Sequence, residues 1–262
     1  MSSLVILAAL IMTAHSATKS SIQTEVVDYK VGRQAMRSYI YFDSKLAAKR
    51  PAILLVHDWM GMGEFVQKRA QELAEEGFTT MAVDIYGRDV QPKDPKEAGT
   101  TAGLYKKDRK LLRERVRAGF DRLMKHKTVV GDKSVAMGFC FGGMTALELA
   151  RSGAALSGVV SFHGNLDTPT PADAKSIKGR ILILHGADDP HVPPAQIADF
   201  EREMKAAKIE YQIIQYPGAV HAFTNPNAGS DPKTGAAYNA EADKNSKIAM
   251  HDFLRELFGK MH

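Results

Sequence analysis

Gly138-Phe139-Cys140-Phe141-Gly142 joins two segments of opposite habit. Before it, Lys133-Ser134-Val135-Ala136-Met137 reads as a short buried strand. After it, Gly143-Met144-Thr145-Ala146-Leu147-Glu148-Leu149-Ala150 reads as a helix. Strand, G-x-nucleophile-x-G and helix in succession form a nucleophile elbow, a turn usually built around serine. Side chains at the two flanking positions would collide with the neighbouring strand and helix, so both are glycine. The turn leaves the Cys140 thiol at a helix N-terminus, where backbone N–H groups and the helix dipole favour a thiolate. Short glycine motifs recur by chance, and a buried structural cysteine in a glycine-rich turn fits the same letters. The rest of the chain must decide.

A cysteine nucleophile needs a base, and the base needs an orienting carboxylate. Downstream, Arg180-Ile181-Leu182-Ile183-Leu184-His185-Gly186 is an apolar strand that runs into Ala187-Asp188-Asp189-Pro190-His191-Val192-Pro193. An acid in a loop past a strand is where a parallel sheet places its active site. Asp189 fits that position, and its neighbour Asp188 competes with it. Next, Tyr211-Gln212-Ile213-Ile214-Gln215-Tyr216 alternates as a strand and leads to Pro217-Gly218-Ala219-Val220-His221-Ala222-Phe223. Cys140, Asp189 and His221 therefore follow the order nucleophile, acid, histidine of the α/β-hydrolases, each after its own strand. The oxyanion of a tetrahedral intermediate needs preorganised N–H donors. Phe141, the residue after the nucleophile, supplies one; Trp59, in the loop after the first central strand, supplies the other.

Elsewhere, strand and helix signals alternate. Residues 25–32 and 36–43 read as an antiparallel hairpin, and 51–56 as a continuous apolar strand. Residues 64–76 have helical spacing, with Phe65, Ala70, Leu73 and Ala74 on one side and Gly77 as a cap. Strand 78–83, a proline-rich loop over 91–99 and a long charged helix over 104–127 follow. Strand 158–162 and helices over 194–207 and 238–258 complete the series. Such alternation predicts an α/β fold, a mostly parallel central sheet with helices on both faces.

Composition narrows the function further. A chain of 262 residues with 44% hydrophobic residues can bury a full core. The net charge is +5, and its basic residues Lys106, Lys107, Arg109, Lys110, Arg113, Arg115 and Arg117 surround one helix without interleaved aromatics. They read as a solvated helix face, which argues against nucleic acid or membrane as partner. One cysteine excludes an internal disulfide and a cysteine-rich zinc site. No H-E-x-x-H spacing occurs, and neither metal nor cofactor is expected. The apolar block over residues 4–12 is too short to span a bilayer. Ala14-His15-Ser16 before Ala17 resembles a cleavage site. Residues 1–16 are thus expected to be a signal peptide and 17–262 one domain, in a periplasm or outside the cell. A cytoplasmic start is the alternative.

The chain resembles the dienelactone hydrolase family, cysteine-dependent members of the α/β-hydrolase fold. The resemblance covers most of residues 25–258. It rests on Gly138-Phe139-Cys140-Phe141-Gly142-Gly143, Gly186-Ala187-Asp188-Asp189-Pro190-His191-Val192-Pro193, His221-Ala222-Phe223 and Ala237-Tyr238-Asn239-Ala240-Glu241-Ala242. It implies a Cys140–His221–Asp189 triad. It also implies a carboxylate touching the resting thiol, which falls on Asp58 although the family more often has glutamate there. It places Arg88 at the substrate carboxylate. A second arginine of the family's best-known members is replaced by Asn225. The expected reaction is hydrolysis of a small-molecule ester or lactone through a thioester. The alternatives are a general carboxylesterase or thioesterase without preference for acidic lactones, and a non-catalytic binding protein on the same fold.

Overall fold

The computed structural model describes residues 21–259. The reading of residues 1–16 as a signal peptide lies outside them. The chain opens with an antiparallel hairpin, β1 (Ile22–Val31) and β2 (Gln34–Asp43). Then come β3 (Arg50–Val56), α1 (Glu64–Glu75), β4 (Thr79–Val83), α2 (Pro95–Lys107), α3 (Arg109–Met124), β5 (Val129–Phe139) and α4 (Phe141–Arg151). The C-terminal half adds β6 (Gly158–Phe162), β7 (Arg180–Gly186), α5 (Pro194–Ala207), β8 (Tyr211–Tyr216) and α6 (Ala240–Phe258). The eight strands form one sheet in the order β1-β2-β4-β3-β5-β6-β7-β8. β2 pairs antiparallel with β1 and β4; the other pairs are parallel.

Successive side chains of a strand point to opposite faces, so one apolar strand can feed two cores. In β3, Ala52, Leu54 and Val56 pack with Leu112, Val116 and Phe120 of α3 and Phe200 of α5. Ile53 and Leu55 pack on the other face with Val66, Ala70 and Leu73 of α1 and Phe253 and Leu254 of α6. Burying each such large side chain contributes about 1.5–3 kcal/mol.

Two helix boundaries differ from the sequence expectation. Residues 95–99, read as loop, are the first turns of α2. Asp94 accepts from the Glu97 N–H, Glu97 accepts from the Lys93 N–H, and Pro95 sits at the first helical position. Reciprocal capping of this kind satisfies donors a helix start would otherwise leave open. The helix read over 104–127 is broken at Asp108. This residue ends α2 with φ −107° and ψ 80°, and its carboxylate caps α3 by accepting from the Leu111 N–H at 2.9 Å. β5 also begins sooner than read, at Val129.

The parallel register aligns the strand ends. Val56 lies beside Gly138, Phe139 beside Phe162, and Gly186 beside Tyr216. The loops after β3, β5, β6, β7 and β8 therefore leave one edge of the sheet together, and that edge holds the candidate catalytic groups.

Candidate active site

The elbow has the strain its letters imply. Cys140 has φ 54° and ψ −116° and is the N-cap of α4. A positive φ is uncommon for a residue with a side chain and costs on the order of 1–3 kcal/mol. The turn is so tight that a Cβ on Gly138 would lie 2.1 Å from the Gly142 carbonyl. A Cβ on Gly142 would lie 2.3 Å from the Val56 oxygen. The Cys140 N–H donates to Phe162 O at 3.0 Å, which ties the turn to β6.

His221 follows β8. Its Nδ1 donates to Asp189 Oδ2 at 2.8 Å, so its Nε2 is the nitrogen that meets the Cys140 thiol, to which the ring is hydrogen-bonded. The other oxygen of Asp189 accepts from the His191 N–H at 2.8 Å. Burial works against both charges. For Asp189, the His221 hydrogen bond and charge and the backbone donor outweigh it and hold the carboxyl below its ordinary range. For His221, the negative charges of Cys140 and Asp189 outweigh burial and push the imidazole up to about 10. Asp188 is exposed, and its backbone N–H donates to Ala219 O. The geometry thus joins Cys140, His221 and Asp189 and leaves Asp188 outside. Because Cys140 leads the causes that raise His221, removing it should return the imidazole toward the ordinary histidine range. An NMR pH titration of His221 in Cys140→Ala checks this, and an unchanged midpoint would contradict the contribution of Cys140.

Asp58 and Trp59 lie in the loop after β3, and both line the cleft above Cys140. Burial pushes the Asp58 carboxyl up, against the Met60 N–H that donates to its Oδ1 at 2.8 Å. Three side chains pin three successive carbonyls of this loop. His57 Nδ1 donates to Asp58 O at 2.6 Å, the Tyr86 hydroxyl to Trp59 O at 3.0 Å, and Gln91 Nε2 to Met60 O at 2.7 Å. His57 is wholly buried and accepts the Ile85 N–H at Nε2, which fixes it as the neutral Nδ1–H tautomer. The N–H groups of Trp59 and Phe141 find no acceptor among the described residues and are free to face a substrate oxygen.

Arg88 does not join the site. Asp84, directly after β4, accepts from the Arg37 and Gly87 N–H groups, and the Arg88 N–H donates to Ala35 O at 2.9 Å. These bonds stitch the loop to β2. The Arg88 guanidinium pairs with Asp89 at 3.2 Å and is absent from the cleft lining. The expectation that it meets a substrate carboxylate is set aside. Asn225 does line the cleft.

The cleft has a volume of about 1130 Å³. Trp59, Phe65, Val66 and Phe141 give it apolar walls, and α2 closes one side with Pro95, Gly99, Ala102, Gly103 and Lys106. Sequence reading missed His163. It is buried at the same sheet edge, directly after β6, with its ring 5.1 Å from that of His221 and Nε2 hydrogen-bonded to the Thr224 hydroxyl at 2.8 Å. A histidine ending a strand of a parallel sheet was the available signal. No group of three His, Cys, Asp or Glu able to hold a metal ion occurs among the described residues.

The model of the dienelactone hydrolase family matches residues 36–258. A crystal structure of a dienelactone hydrolase-like promiscuous phosphotriesterase from metagenomic libraries is similar to this chain, with a TM-score of 0.86 and 36% identity. That likeness covers 91% of this chain and 100% of the other. The probable 2-oxo-3-(5-oxofuran-2-ylidene)propanoate lactonase of Bradyrhizobium sp is 29% identical over 188 residues, 68% of this chain and 75% of its own. Dienelactone hydrolase from Anabaena variabilis shares the fold, with a TM-score of 0.62 and 21% identity over 88% of this chain and 98% of its own.

Proposed function

Because this chain belongs to the dienelactone hydrolase family, we propose that it cleaves carboxylic esters or lactones through a Cys140–His221–Asp189 triad and a thioester acyl-enzyme. The observation that carries the proposal is His221 held between the Asp189 carboxylate and the Cys140 thiol.

The steps follow from those contacts. The Cys140 thiolate attacks the carbonyl carbon, and the carbonyl electron pair moves to oxygen. The Trp59 and Phe141 N–H groups receive that oxyanion; one such donor is typically worth about 2.7–4 kcal/mol in the transition state. As the tetrahedral intermediate collapses, the C–O bond breaks and His221 Nε2 gives its proton to the leaving oxygen. A thioester remains. Neutral His221 then takes a proton from water, the hydroxide adds to the thioester, and the thiolate leaves as the acid is released. Thiolates depart more readily than alkoxides. The return of the first intermediate to substrate is therefore easy, and activated esters and enol lactones suit this site better than amides.

The pinned oxyanion loop gives a further expected result. Tyr86→Phe removes the bond that holds the Trp59 peptide and nothing that touches substrate carbon. It should lower kcat by about tenfold, with KM changed less, and cost about 1 kcal/mol of stability. Steady-state kinetics beside thermal unfolding separate the two effects.

The proposal is tested by treating the full chain with iodoacetamide. One thiol should be modified and hydrolysis of p-nitrophenyl acetate abolished in proportion. Full activity after stoichiometric modification would reject it. The similarity to a promiscuous phosphotriesterase favours a second, side activity. The same thiolate would attack phosphorus in paraoxon, expel p-nitrophenolate and be freed by water; release of p-nitrophenolate beyond one equivalent is the measurement.

A further inference from the structure

Among the described residues, the cleft is lined by one lysine or arginine, Lys106 of α2. Its ammonium donates to Asn165 Oδ1 at 2.8 Å, and no carboxylate lies within ion-pair distance of it among the described residues. The Asn165 amide is itself oriented, since its Nδ2 donates to His191 O at 3.1 Å. A neutral amide oxygen satisfies one of the three ammonium donors and none of its charge. The cleft's own carboxylates, Asp58 and Glu64, do not compensate it. Neither pairs with Lys106. Burial weakens the charge of Asp58, and Glu64 sits in the first turn of α1, where the helix N-terminus balances a negative group. The neighbouring Arg109 and Arg113 are paired with Asp167 and with Glu148 and Asp173. Lys107 and Lys110 also have no ion pair among the described residues, but of these three cations Lys106 is the one that lines the cavity.

We propose that Lys106 is the specificity-determining residue of the cleft: its ammonium pairs with a carboxylate borne by the ester or lactone, away from the scissile bond. This rests on the reading of the cleft as an ester-hydrolysing site. The size of the cavity refines the class. At about 1130 Å³ it exceeds the range of about 300–1,000 Å³ common for small-ligand sites. Cys140, Lys106 and the apolar side chains of Trp59, Phe65 and Phe141 line this one cavity, so the ligand it suits is an ester with an apolar body and a carboxylate. The charge that Arg88 was expected to supply at one wall is supplied by α2 at another.

The test compares the mono-p-nitrophenyl ester of adipic acid with neutral p-nitrophenyl hexanoate. In the unmodified chain, kcat/KM should favour the hemiester, and the preference should shrink as salt rises, because an exposed ammonium is screened over about 8 Å at 0.15 M ionic strength. Lys106→Met keeps the stem and removes the charge. The ratio of kcat/KM, hemiester over neutral ester, should fall about fivefold, and Lys106→Glu should invert it. A ratio unchanged in both variants would overturn the proposal. A second arm needs no turnover. 4-Phenylbutyrate should protect Cys140 from iodoacetamide better than 4-phenylbutanamide, and Lys106→Met should erase the difference. If neither ester is cleaved but the protection difference behaves so, the anion site stands and the hydrolase reading falls. If esters are cleaved and neither arm depends on Lys106, the reverse holds.

Discussion

Cys140→Ala is expected to fold and to lose about a millionfold in kcat, keeping only the roughly 10³–10⁴-fold acceleration over the uncatalysed reaction that binding and the oxyanion donors supply alone. Hydrolysis of p-nitrophenyl acetate measures it, beside circular dichroism to show the fold intact. The strained turn adds a stability signature. The residue at position 140 holds φ 54° whatever its side chain, so alanine keeps the strain and glycine relieves it. Cys140→Gly should be equally inactive and at least as stable as Cys140→Ala, although glycine ordinarily loses about 1 kcal/mol to unfolded-state entropy. If glycine proves clearly less stable, the elbow holds no strain. If Cys140→Ala keeps more than a tenth of the activity, the nucleophile is elsewhere.

Asp189→Asn should lower kcat by about a thousandfold or more, because an amide in its place holds His221 in the wrong tautomer or fails to support its charge. The carboxylate it replaces accepts the His221 Nδ1 proton at 2.8 Å. Asp188→Asn should change kcat less than about threefold, since its side chain faces solvent, where single substitutions have small effects. The pair of variants discriminates between neighbours in one loop. The opposite ranking would move the acid to Asp188 and require the loop to turn over.

The elbow and the order of the candidate triad are legible in the sequence because local geometry dictates them. Gly138 and Gly142 are forced by close approach to backbone, and each candidate group sits just after a run that must be a strand. Strand pattern alone does not choose between Asp188 and Asp189, because both follow β7. The choice depends on which carboxylate turns toward a histidine 32 residues away. Arg88 is misplaced by sequence reading for the same kind of reason. Its loop is stitched to β2 by Asp84, whose bond to the Arg37 N–H spans 47 residues of sequence. The pins on the oxyanion loop are equally invisible, since Tyr86 and Gln91 reach back 27 and 31 residues. The start of α2 is readable, with Asp94 as cap, Pro95 at the first position and Glu97 reciprocating. Proline and charge in that stretch suggest a loop, but the capping signal is the stronger one.

The wall formed by α2 has a price in helix stability. Gly99 and Gly103 lie inside that helix, where each glycine is about 1 kcal/mol less favourable than alanine. Both line the cleft. A Cβ at Gly99 would come within 3.9 Å of the Trp59 ring, and one at Gly103 would meet nothing within 4 Å. Neither glycine is required by its contacts, so what the two positions preserve is room. The room in the cleft and the rigidity of the helix thus both depend on these two residues and pull in opposite directions. A lineage that came to use smaller esters could fill these positions one methyl at a time, and each step would firm the helix as it narrowed the diet.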